Sequence, residues 1–219
     1  GILGIVQGLT EFVPVSSSAH LVLFQHLLGL REPLLFFDIV LHIATLLATL
    51  VIFRKVIVAS LKSPRAILLL MTASAPTALM GLLLLDTVER SFGSVTAAGF
   101  GLLITGSLLW STRNISTSES VAESPLFSGI SFTHAFLIGC AQGVALFPGI
   151  SRSGSTISAA LFLNISRRDA AHFSFLLSIP AILGALILKS FDMETFDTSQ
   201  FPQLLAGFSL SFGVGIVSL

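Results

Sequence analysis

Charge is what this sequence lacks most. Only 10% of its 219 residues are Asp, Glu, Lys or Arg, with eleven bases balancing eleven acids, whereas soluble domains carry about 25% charged residues. A water-facing surface cannot be assembled from so few. The zero net charge also excludes a nucleic-acid partner, which needs a clustered basic face. Cysteine is nearly absent: Cys140 stands alone, so an intrachain disulfide is excluded and the redox compartment is not encoded. No basic stretch precedes the N-terminal apolar segment, so no cleavable signal is written there. The first residue, Gly1 rather than Met, points to a trimmed start. What the chain has in abundance is apolar surface, 53% of residues, with a mean hydropathy of +0.96.

That surface comes in runs. A bilayer core takes about 20 apolar residues per helix, and uncharged stretches at 66–85, 92–112, 129–151 and 201–219 meet that length, with 36–53 and 170–188 nearly as clean. Buried helices of a large soluble protein, the alternative, are usually shorter and have amphipathic neighbours. Basic residues set the orientation. Arg54, Lys55, Lys62 and Arg65 place the connection after 36–53 in the cytoplasm, so the one around Asp86, Glu89 and Arg90 is outside. The 92–112 span then returns to a cytoplasmic Ser/Glu-rich linker at 114–124. Arg167 and Arg168 precede 170–188, and the acidic Asp192, Glu194 and Asp197 follow it, so this helix runs opposite to 36–53.

An internal repeat organises the runs. A shift of 135 places Gly4, Gln7, Gly8, Phe12, Ser16 and Ser18 on Gly139, Gln142, Gly143, Phe147, Ser151 and Ser153. With one more residue of offset, Ile43, Leu47 and Leu50 fall on Ile179, Leu183 and Leu186. The opposite orientations make it an inverted repeat, an arrangement common in transporters. Both copies sit where an apolar run is interrupted. In the first, a short helix over 2–13 stops near Pro14, and the serines at 16–18 cap a second running to about Leu30. The second copy repeats this through Pro148, Gly149 and Ser151. Neither half is long enough to span, so each pair reads as a re-entrant hairpin, admissible at membrane depth where it lines a polar cavity. A spanning helix kinked at proline is the competing reading. The expected fold is an all-α integral membrane protein: an inverted-topology repeat with two re-entrant hairpins meeting mid-membrane and about five spanning helices. It forms a single membrane domain over 1–219, with repeat one at 1–112, a linker at 113–128 and repeat two at 129–219.

The hairpin tips carry the chemistry. Gln7 and Glu11, four apart, project from one helix face, and Glu11 is the only acid in the first 30 residues, costly in a membrane without a polar or metal partner. Ser16, Ser17 and Ser18 offer hydroxyls and free N–H groups at a helix N-terminus, which favours an anion. His20 follows within a turn, able to exchange protons near neutrality. Across the repeat, Ser151 and Ser153 flank Arg152, whose planar guanidinium suits phosphate oxygens. Converging, these groups describe a diphosphate site. Arg152 as a snorkelling loop residue is the plainer alternative. His26, His42, His134 and His172 read as ordinary hydrogen-bonded histidines, Asp38 as a helix cap, and the phenylalanines as packing or lipid-facing residues.

These two segments, Gln7 to His20 ("QGLTEFVPVSSSAH") and Pro148 to Gly154 ("PGISRSG"), closely resemble the signature motifs of the bacterial undecaprenyl-diphosphate phosphatases, the bacitracin-resistance phosphatase family. The resemblance implies an inner-membrane enzyme that hydrolyses undecaprenyl diphosphate to the monophosphate, recycling the carrier lipid for peptidoglycan synthesis, with a site facing the periplasm. It maps the family's motif residues onto Gln7, Glu11, Ser16, Ser17, His20, Ser151 and Arg152, and it implies a divalent cation, Mg²⁺ or Ca²⁺, with Glu11 and Gln7 as metal ligands. Gln7 in place of a Glu removes one negative charge from that set. The expected division of labour gives catalysis to Glu11, Ser17, His20 and Arg152, and diphosphate binding to Ser16, Ser18, Ser151, Arg152 and Ser153. Ser17 acts as nucleophile with His20 as its proton partner, or a metal-bound water attacks directly; the residues leave both open. No "PSGH" occurs, so the other lipid-phosphatase signature is not matched. A transporter or flippase of an anionic lipid or solute is the alternative function, and a homodimer stays open. Counting crossings, three spans follow the first hairpin and two the second, so the chain is expected to be a fragment of a longer one with one further span.

Overall fold

A computed structural model describes residues 1–30, 35–117, 126–190 and 201–219. Among them every regular element is an α-helix. The first hairpin pairs α1 (Ile2–Thr10) with α2 (Ser17–Leu27), and the second pairs α8 (Phe132–Val144) with α9 (Arg152–Phe162). Between them lie α3 (Leu35–Ile52), α4 (Arg54–Leu61), α5 (Pro64–Leu83), α6 (Leu85–Phe92) and α7 (Val95–Thr112), and after them α10 (Arg167–Ser190) and α11 (Phe201–Ser218). Four of these, α5, α7, α10 and α11, are long and apolar enough to cross a bilayer, and α3 with α4 makes a fifth candidate, bent by 78°. The chain is thus a multi-pass membrane protein. The acidic connection at Asp192, Glu194 and Asp197, and residues 118–124 of the expected linker, lie outside the described residues.

Local chemistry explains where the helices begin. Ser63 caps α5 by accepting from the Ala66 N–H, with Pro64 in the first turn, where its missing N–H costs nothing. Ser94 caps α7 through Ala97 in the same way. The 36–53 run ends in a corner rather than a straight exit. Phe53 leaves helical geometry, stacks on Phe175 at 5.0 Å and meets the His172 ring edge-on, while the exposed Arg54 and Lys55 open α4. The turn ahead of α8 is fastened to α5 by the Arg65 guanidinium, which donates to the Phe127 and Ile130 carbonyls at 2.8 and 2.7 Å.

Burial is inverted relative to a water-soluble protein. Leu68, Met71 and Leu83 on α5, and Phe100 and Leu103 on α7, face outward, a surface stable only against lipid tails. Small residues are interspersed with larger ones such as Leu69 on the inward faces: Ala66, Ala73 and Ala98 are fully buried. Membrane helices associate through such residues because lipid removes the hydrophobic drive between them. The closest approaches bridge the two halves. A Cβ on Gly4 would collide with the Gly207 carbonyl of α11, and one on Gly139 with the Ala73 carbonyl of α5. Gly4 and Gly139 are positions that the 135-residue shift superposes in sequence, and the two contacts seat α1 on α11 and α8 on α5.

This packing is testable. Gly139→Ala forces α8 off α5 and costs about 1–3 kcal/mol, read as a lower Tm in detergent. Gly106→Ala, where an added methyl meets nothing within 4 Å, leaves Tm unchanged or slightly raised. Equal Tm values for the two variants would contradict the close approach.

Candidate active site

Both hairpins turn inward at their tips and meet on Glu11. α1 stops at Thr10, three residues earlier than the sequence pattern suggests, because the 11–15 segment turns towards Pro14, which cannot continue a helix. Ser16 then enters the left-handed region at φ 65°, caps α2 by accepting from the Ala19 N–H, and lies 3.1 Å from the Ser18 hydroxyl. A non-glycine residue held there stores strain of the kind found at binding sites. In the second tip Gly149 takes φ 93°, and Ser151 caps α9 by accepting from the Gly154 N–H at 3.0 Å. Thr105 of α7 clamps this turn: its hydroxyl donates to the Gly149 carbonyl at 2.7 Å and accepts from the Ser151 N–H at 2.9 Å.

Glu11, 7% exposed, is the hub. The Arg152 guanidinium donates to its Oε1, joining the tips across the repeat. On Oε2 converge the Ser17 hydroxyl at 2.6 Å, the Gln7 amide at 2.9 Å and His42 Nε2 at 3.6 Å. Arg152 reaches a second partner, the Ser178 carbonyl of α10, at 3.5 Å. A cavity of about 580 Å³ opens onto this cluster, bordered by Glu11, Ser16, Ser17, Ser18, Ser151, Arg152 and Ser153. The first N–H groups of α2 and α9 have no intrahelical partners and therefore present two positive helix ends to this one space. Beyond the polar end its walls turn aliphatic, with Ala78, Leu82, Leu146, Ala181 and Ala185.

Of the residues singled out in the sequence, His20 stands apart. Its Nδ1 donates to the Ser16 carbonyl at 2.8 Å and its ring does not border the cavity; the Ser17 hydroxyl donates to Glu11 instead. Two residues read as ordinary belong to the site. Asp38 is not set as a simple cap: its carboxylate accepts the Gln25 amide at 2.8 and 3.0 Å, and it borders the cavity. His42 faces Glu11. Asp38, His42 and Thr45, spaced four and three apart on α3, form one polar stripe on an otherwise apolar helix, a pattern that could have singled them out.

Among the described residues no three His, Cys, Asp or Glu side chains cluster around a metal position. The donors present are nonetheless hard oxygens: the Glu11 carboxylate, the serine hydroxyls, and the Gln7 Oε1, which is buried without a partner. Mg²⁺ is commonly held by one or two carboxylates together with substrate phosphates, so this set fits a cation shared with a phosphorylated substrate.

Helices that cross a bilayer, and two broken ones whose N-termini and arginine enclose a buried carboxylate, define a polytopic membrane protein with an embedded polar centre. The chain belongs to the family described as bacitracin resistance protein BacA, whose model matches residues 1–219. It is similar to the undecaprenyl-diphosphatase of Desulfosudis oleivorans, 49% identical over 214 residues that cover 88% of this chain and 76% of that protein. Its likeness to the undecaprenyl-diphosphatase of Carboxydothermus hydrogenoformans is 46% identity, covering 94% of this chain and 83% of the relative. With that of Desulfatibacillum aliphaticivorans it is 42%, covering 100% and 86%.

Proposed function

We propose that this protein hydrolyses undecaprenyl diphosphate to undecaprenyl phosphate and inorganic phosphate, returning the lipid carrier to cell-wall synthesis. Family membership supports the activity. The observation that carries the chemistry is the Ser17 hydroxyl bonded at 2.6 Å to a carboxylate that Arg152 holds from its other oxygen. The cavity carries the substrate class: a polar end with two helix N-termini for a diphosphate, continuous with an aliphatic wall for a prenyl chain.

The diphosphate settles on the N-termini of α2 and α9, where Ser16, Ser18, Ser151 and Ser153 donate to its oxygens. Arg152 turns from Glu11 to the terminal phosphoryl group and stabilises its equatorial oxygens as charge spreads over them. Glu11, released from that contact, takes the Ser17 proton as Oγ attacks the terminal phosphorus. The P–O bond to the lipid monophosphate breaks, and the electron pair leaves with it. Glu11 passes that proton to the departing lipid phosphate and, ionised again, takes one from the water that attacks the phosphoserine; it returns this proton to Ser17 Oγ as the Oγ–P bond breaks and inorganic phosphate leaves. Glu11 and the Gln7 Oε1 would hold a divalent cation, which would neutralise charge on the phosphate oxygens. His20, bonded to the Ser16 carbonyl, fixes the α2 cap in this scheme.

The two halves are proposed as inverted copies, with the hairpins re-entrant and the site reached from the periplasmic face of the inner membrane. Support comes from the basic and acidic connections and from the equivalent glycine contacts of Gly4 and Gly139. The deciding experiment is phosphate release from a prenyl diphosphate by the purified protein in detergent with added Mg²⁺ or Ca²⁺. Sustained release is expected. Binding without release, together with movement of the lipid between leaflets of a vesicle, would establish a transporter in its place.

A further inference from the structure

His42 lies in the cavity wall, its ring between a backbone carbonyl and a carboxylate. Nδ1 donates to the Asp38 carbonyl at 2.7 Å, one turn back on α3, and Nε2 faces Glu11 Oε2 at 3.6 Å. Asp38 is in turn held on both carboxylate oxygens by Gln25 of α2, a side chain only 5% exposed. One turn beyond His42, the Thr45 hydroxyl accepts from the Gln7 amide at 3.3 Å. The α3 stripe therefore borders both members of the Gln7 and Glu11 pair.

We propose that His42 is a positioning residue for Glu11, holding the carboxylate plane towards Ser17 when Arg152 leaves it for the phosphate. Without Arg152 on Oε1, the groups left on Glu11 besides Ser17 are the Gln7 amide, which donates at 2.9 Å, and His42 Nε2, which stands 3.6 Å away, within ion-pair range of the carboxylate when the ring carries both protons. A single fixed donor lets a carboxylate pivot about its last side-chain bond; a donor from one helix and a facing imidazole from another do not. Misplacement of a reacting group by about 1 Å costs on the order of 10²-fold in rate. The inference rests on the reading of Glu11 as the group that takes the Ser17 proton. His42 touches neither Ser17 nor Arg152 in the contacts of this structure, so its effect passes through Glu11.

Asparagine and glutamine separate the two ends of the ring, because an Asn amide reaches the Nδ1 position and a Gln amide the Nε2 position. His42→Asn keeps a donor for the Asp38 carbonyl and loses the reach to Glu11; His42→Gln keeps the reach. Both are polar and neutral and sit in a partly open wall, where the His42 side chain is 27% exposed, so the fold tolerates either. Phosphate release is measured for both purified variants alongside Glu11→Gln, with kcat and KM resolved and Tm recorded. Expected is a kcat for His42→Asn down by about 10²-fold with unchanged KM, most of it recovered in His42→Gln, at equal Tm. An inactive Glu11→Gln with a His42→Asn of normal kcat overturns the positioning role alone. So does an equal loss in His42→Asn and His42→Gln, or a loss expressed in KM. A Glu11→Gln variant with normal turnover overturns the underlying reaction scheme as well.

Discussion

Arg152→Ala lowers kcat by about 10²- to 10³-fold, the loss expected when one preorganised donor to a developing phosphoryl charge is removed. Arg152→Lys recovers little, because a point charge cannot reproduce a planar fork on phosphate oxygens. Stability moves separately. Removing the guanidinium leaves Glu11 buried with one cationic partner fewer, and breaking such a pair costs about 3–5 kcal/mol. Combining Arg152→Ala with Glu11→Gln removes the orphaned charge, so the double variant melts above Arg152→Ala while remaining inactive. Parallel phosphate-release and melting measurements check both halves. Near-normal turnover by Arg152→Ala would show that the two hairpin tips do not share a site.

Ser17→Ala is expected to cost at least about 10³-fold, and adding Glu11→Gln to it should change little further, since groups acting as one nucleophilic unit are grossly non-additive. A covalent route leaves a direct trace. Acid-quenched enzyme incubated with substrate labelled in the terminal phosphate retains label on Ser17, and Ser17→Ala retains none. If the label never appears and Ser17→Ala keeps a tenth or more of the activity, water is the nucleophile and Ser17 only orients Glu11.

Much of this arrangement was legible in the chain before folding. Hydropathy gave the spans, because lipid demands long apolar stretches. Proline and serine marked both hairpin breaks, because neither Pro14 nor the Ser16 cap allows an uninterrupted helix. Glu11 and Arg152 were conspicuous as ionisable groups in apolar surroundings, and the structure brings them together although 141 positions separate them. The corner at Phe53 was not legible: no proline or glycine marks it, and it is set by rings on α10. The α1 boundary came out three residues short of the sequence pattern, since the turn towards Pro14 already begins at Glu11. His42 and Asp38 were read as an ordinary histidine and a helix cap because their partners, Glu11 and Gln25, lie on other helices; taken one at a time neither announces a tertiary contact, and only their shared face with Thr45 marks them. Thr105 is a similar case, one hydroxyl on an apolar helix whose importance lies in the loop it clamps.

The seating of α1 against α11 bears on how the molecule is made. The Gly4 and Gly207 contact joins residues some 200 positions apart, and ribosomes add about 5–20 residues per second. For roughly 10–40 s after it emerges, then, the first hairpin lies in the bilayer without the surface that α11 later provides. During that interval Gly4 and Gly8 face lipid or the insertion machinery, and Glu11 has no Arg152 to neutralise it until the second hairpin arrives. Catalytic competence is therefore a late event in biogenesis. A nascent chain cannot act on the carrier lipid around it before its two halves have closed on each other.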